Sequence, residues 1–134
     1  MNRTHLEGAA EALAAQQGYA FHTGPEDGMA HTMRSYPAAW LPPLELHAVE
    51  GRGHGRATYN MTLHLLSSGA RLSPAERRTA LARMEEQLLE IFAALSLDER
   101  VLAVEGLSVR PRAFALTPHG EISQTAAARI VTFF

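Results

Sequence analysis

Between Arg56 and Leu66 the chain changes character at every residue. Ala57, Tyr59, Met61, Leu63 and Leu65 fall on one parity, and Arg56, Thr58, Asn60, Thr62 and His64 on the other. A period of two describes a strand with one apolar face and one wet face. Such a strand belongs to a sheet that is covered on one side only. Leu44, Leu46 and Ala48 carry the matching parity upstream, and Gly51-Arg52-Gly53-His54-Gly55 joins the two runs. The pair therefore reads as a β-hairpin with a flexible tip. Matching its apolar faces sets Leu46 opposite Tyr59 or Met61, and His47 opposite Thr58 or Asn60.

The cover for that face follows directly. Ser73-Pro74-Ala75-Glu76 supplies an N-cap, a proline at the first helical position and a capping-box glutamate. Leu81, Met84, Leu88, Ile91 and Leu95 then recur at helical spacing, with Leu89 and Phe92 widening the stripe. The spacing predicts a helix over Pro74–Leu95. A shorter helix is expected over Thr4–Gln17, with Thr4 and Glu7 as its capping box and Gly18 as the glycine that ends it.

Residues Gly18–Pro43 are less regular. Gly24-Pro25, Asp27-Gly28, Tyr36-Pro37 and Leu41-Pro42-Pro43 break regular structure, yet Tyr19, Phe21, Met29, Met33, Tyr36 and Trp40 are large and apolar. We read residues 18–43 as an extended aromatic, proline-bearing arm lying on the domain or on a neighbouring subunit. Toward the C-terminus, strands are expected at Val101–Val109, with a bulge at Gly106, at Arg112–Thr117 and at Glu121–Phe134. Thr117-Pro118-His119-Gly120-Glu121 forms the turn between the last two. The expected fold is α+β, one domain over residues 1–134. Its single antiparallel β-sheet is covered by one long amphipathic helix and a shorter N-terminal helix.

Composition narrows the chemistry. The chain has 134 residues, a formal net charge of −2, twelve Arg, no Lys and no Cys. Disulfides, thiolate catalysis and Cys-ligated zinc are thereby excluded, and near-neutral charge argues against a dedicated nucleic-acid binder. No apolar run approaches membrane-spanning length and no signal-peptide pattern is present, so neither a membrane span nor secretion is expected. Seven His residues raise the question of a metal. No two share the i, i+4 spacing of helical ligand pairs, and the hairpin register holds His47 and His64 well apart. No G-x-S-x-G motif is present, and the adjacent Glu85-Glu86 do not face one another on a helix. The glycines around Arg52 join two strands rather than leading into a helix, so they do not make a phosphate-binding P-loop. We therefore expect no catalytic, cofactor-binding or metal residues.

The order of these features resembles the small tail-completion or tail-terminator proteins, and related neck proteins, of tailed bacteriophages and prophages. The resemblance rests on the short N-terminal helix, the arm at Tyr36-Pro37-Ala38-Ala39-Trp40-Leu41-Pro42-Pro43, the glycine-tipped hairpin, the long helix from Ser73 and the closing strands. It implies a non-enzymatic structural protein that associates with itself, typically as a hexameric ring, at the tail end or head–tail junction. Its partners would be further copies and other tail or neck proteins. It would occupy the cytoplasm of a bacterial host before assembly into a virion or tail-like particle. Under this reading the hairpin tip and the arm reach neighbours. A chain closing on Phe133-Phe134 must bury those rings or present them to another subunit. The expected contact residues are Tyr36, Trp40, Arg52, His54, Arg56, Phe133 and Phe134. The alternative is a small bacterial binding or adaptor module that holds a peptide or ligand through its sheet face or arm.

Overall fold

A computed structural model describes residues 2–29, 35–52, 54–69, 71–112, 115 and 120–133. In chain order its elements are α1 (Asn2–Gln16), β1 (Ala20–Thr23), a 310 turn (Glu26–Gly28), β2 (Ala38–Leu41), β3 (Glu45–Arg52), β4 (His54–Ser67), α2 (Pro74–Leu95), β5 (Val101–Pro111) and β6 (Ile122–Phe133). The fold is α+β, with both helices on one face of a six-stranded, mostly antiparallel sheet.

Helix α2 has the bounds that its sequence signals require. The Glu76 N–H donates to Ser73 Oγ at 3.2 Å, and the Ser73 N–H donates to Glu76 Oε1 at 3.1 Å, completing the capping box. Those bonds hold the Glu76 carboxyl below its ordinary pKa. Met84, Leu88, Ile91, Phe92 and Leu95 are buried against the sheet. Leu89, expected to widen the stripe, is exposed instead. The Gln124 side-chain amide on β6 also donates to the Leu81 carbonyl at 3.0 Å, tying helix to sheet.

Helix α1 begins at Asn2, so Thr4 lies inside it and is not its cap. The Asn2 side chain donates to Thr132 Oγ1 and to the Phe133 carbonyl, fastening the helix start to β6. Its end matches expectation. Gly18 has φ +87°, with Tyr19 N–H donating to Ala14 O and Gly18 N–H to Ala15 O, the bond pattern of a Schellman motif. Leu6, Ala10 and Ala14 are the residues that α1 buries.

Strand order is β1-β2-β4-β6-β5. The long strand β4 pairs with β6 along one side. Its other side is shared, β3 taking the first half and β2 the second. Leu46 lies opposite Tyr59, one of the two expected registers, but a bulge then skips His47 and sets Ala48 opposite Thr58. His47 therefore has no partner across the ladder. Gly106 has φ +63° within the register shift between Glu105 and Ser108, the expected bulge. Of the expected strand Arg112–Thr117, Arg112 and Ala115 are not in a strand, and the rest, with most of the turn that follows, lies outside the described residues.

The largest departure from expectation lies in residues 18–43. Of the two expected placements this segment's described residues take the first, lying on the domain, but as strands of the sheet rather than as an irregular arm. It adds β1 and β2 to the sheet as a parallel pair, the exception in an otherwise antiparallel arrangement. All four residues of β2 are buried, because both of its faces are covered. Ala39 and Leu41 join the main core under the helices. Ala38 and Trp40 face the other way and form a second cluster with Met29 and Leu66, with Tyr36 packed against it. The wet parity of β4 is accordingly dry at its far end, where His64 and Leu66 are buried.

Candidate interaction surface

Four of the seven expected contact residues converge at one end of the sheet. Within β3–β4, Arg52 pairs with His54 and Glu50 with Arg56, and across the ladder Arg56 pairs with Phe133. Residues opposite one another in a ladder share a face, so Glu50, Arg56 and Phe133 form one cross-strand row. A recess of about 440 Å3 lies there, lined by Glu50, Gly51, His54, Gly55, Arg56 and Phe133. Gly51 has φ +104°, and a Cβ there would meet His54 O at 2.6 Å. Only glycine closes the hairpin this tightly.

The other face of the same hairpin is apolar. Leu46 pairs with Tyr59 and Val49 with Ala57, so both point toward the helix side of the sheet. Helix α1 reaches only the near part of that face. Arg3 lies over the Tyr59 ring, 5.4 Å from its centroid, and donates to the Leu44 carbonyl. Beyond that point Leu46 is 51% exposed and Val49 54%, while Phe133 on the opposite face is 50% exposed. Among the described residues Arg52 and Arg56 have no ion pair. Their planar guanidinium groups can therefore donate paired hydrogen bonds to carboxylates from outside the chain.

Two of the edge strands, β3 and β5, are guarded. β3 carries the bulge at His47 and the glutamates Glu45 and Glu50, and β5 has two register shifts. Bulges and charges on edge strands discourage ladder-to-ladder pairing. Association at this end of the molecule would use side chains rather than strand addition.

Tyr36 and Trp40 do not belong to this surface. Trp40 is 2% exposed, donates through its indole N–H to Gly24 O at 2.9 Å and stacks on His22, with ring centroids 6.0 Å apart. It serves the second core of its own chain, which corrects the expectation that it reaches a neighbour. Phe134 lies outside the described residues.

Sequence reasoning did not anticipate the site around His64. The side chain is 1% exposed, with Thr125 Oγ1 2.7 Å from Nδ1 and Glu26 Oε1 2.8 Å from Nε2. A carboxylate only accepts hydrogen bonds, so Nε2 carries the proton. The neutral ring's Nδ1 then accepts from the Thr125 hydroxyl. Burial pushes the His64 pKa below its ordinary 6.5, partly opposed by Glu26. The chain of groups ties the 310 turn to the centre of the sheet. Its one sequence signal was a histidine two residues from Leu66 on a parity that turns apolar. A second tether joins His5 on α1 to Asp98 after α2, with Nε2 2.8 Å from Oδ1. Burial raises the Asp98 pKa, but bonds from the Arg100 N–H and His5 outweigh it and leave the carboxyl below its ordinary value.

Among the described residues no three His, Cys, Asp or Glu side chains group as a metal site, and no helix is long and apolar enough to cross a membrane. No family model matches the chain, and no curated protein matches it in sequence.

Proposed function

We propose that this protein is a non-enzymatic structural component of a phage or prophage particle, acting by ring-like self-association at the tail end or the head–tail junction. The observation that carries the reading is the hairpin end of the sheet. There Leu46, Val49 and Phe133 are half exposed beside Arg52 and Arg56, which lack intrachain ion pairs among the described residues. Half-exposed apolar side chains on both faces of the hairpin, with two arginines on the Phe133 face that lack ion pairs among the described residues, match the composition of a protein interface more closely than that of a solvated turn. The two faces of the hairpin carry different groups. They suit a heterologous contact, in which each copy offers one patch and receives another, and such contacts form a ring when the rotation between successive copies closes. Electron microscopy of the concentrated protein tests this. Closed rings of uniform diameter are the expected result, and single compact particles without assemblies would refute it.

A further inference from the structure

At the opposite end of β4 from the hairpin tip, an open groove of about 570 Å3 runs between the first half of α2 and the starts of β1 and β2. Tyr19, Arg83 and Gln87 are among its polar lining residues. Tyr19 is buried, and its hydroxyl donates to Gln87 Oε1 at 2.6 Å. That bond occupies the Gln87 carbonyl and leaves the amide hydrogens to donate elsewhere. Arg83 stands one helical turn before Gln87 on the same face. It lies close enough to Tyr19 for its charge to oppose, in part, the effect of burial on the phenol. Among the described residues Arg83 has no carboxylate partner. The remainder of the lining is mixed, with Leu72, Ala80 and Met84 supplying apolar surface along it.

Glu76 sets a further condition. It also lines the groove, seven residues before Arg83, and thus about 10 Å away along the helix. Its carboxylate is fixed in the capping box. One end of the groove offers an unpaired cation and amide donors, and the other end repels a second negative charge. We propose that this groove binds a small monocarboxylic acid with a short apolar body. The carboxylate would pair with the Arg83 guanidinium and the Gln87 amide, and the body would lie over Leu72, Ala80 and Met84. This site lies apart from the hairpin surface and does not depend on the ring reading.

Octanoate is the probe. Titration of the intact chain, followed by calorimetry and by amide NMR shifts, should give saturable binding with shifts centred on Tyr19, Arg83 and Gln87. Octylamine, 1-octanol and the dicarboxylate suberate should each bind at least about tenfold more weakly, since each lacks the charge-assisted pair or meets Glu76. Arg83→Gln should weaken octanoate by about tenfold or more while leaving the melting temperature unchanged, because Arg83 is exposed. Glu76→Gln should narrow the gap between octanoate and suberate. The proposal is overturned by an absence of saturable octanoate binding, by equal binding of octanol, or by an Arg83→Gln affinity equal to wild type. A peptide ending in a free carboxylate that binds more tightly than octanoate would also overturn it, by assigning the groove to a protein partner.

Discussion

His64 shows how one buried side chain can organise a face of this sheet. Residues His22, Trp40, His64, Thr125 and Arg110 lie opposite one another in succession across β1, β2, β4, β6 and β5, a single row spanning five strands. Within that row His64 is held neutral by burial, with Glu26 favouring and Arg112 disfavouring its charge. Because its folded pKa lies below the ordinary value, the unfolded chain takes up the proton first as pH falls. The contribution of neutral His64 is therefore complete above 6.5 and declines as pH drops below it. Replacing His64 with Ala should cost about 2–4 kcal/mol at pH 7.5, from lost packing and the stranded Thr125 hydroxyl. The gap between wild-type and variant stability, measured by urea unfolding, should narrow toward pH 5.5. A gap that does not change with pH would mean that His64 does not titrate in this window.

At the level of the element, legibility tracked locality. The bounds of α2 could be read because its cap, its proline and its stripe lie within the helix itself. Ser73→Ala should accordingly cost about 1 kcal/mol. The end of α1 was legible for the same reason. Gly18→Ala should cost about 1–2 kcal/mol, since an alanine must adopt the positive φ of that position. Thermal or urea denaturation checks both substitutions, and a neutral Gly18→Ala would show that the helix end relaxes. β1 and β2 were hidden because each has four residues and they pair in parallel across an intervening segment. Ala38-Ala39-Trp40-Leu41 is buried on both faces, so it shows no alternation, and the flanking prolines pointed toward loop. Leu46 was misread for another reason. Its parity was right, but α1 stops short of it, and where the cover ends is a tertiary fact.

For the whole molecule, two cores share one sheet. The larger lies under the helices, and the smaller lies under the segment that carries the 310 turn. Between them they bury Trp40, which the sequence had assigned to a neighbour. Arg52, His54, Arg56 and Phe133 remain at the hairpin end and gain Leu46 and Val49 beside them. The sequence placed the surface at the tip because glycines and arginines there are local signals. It could not show that apolar groups stand on both faces, since that depends on β6 ending beside β4 and on α1 stopping where it does. Burial of those half-exposed side chains between copies is the central claim. Sedimentation velocity of the wild-type chain beside a Val49→Asp, Phe133→Ser variant tests it most directly. The account predicts a discrete wild-type species several times the 14.6 kDa chain mass, and a folded monomer for the variant. A wild-type chain that sediments as a monomer at every concentration, or a variant that assembles as the wild type does, would contradict it.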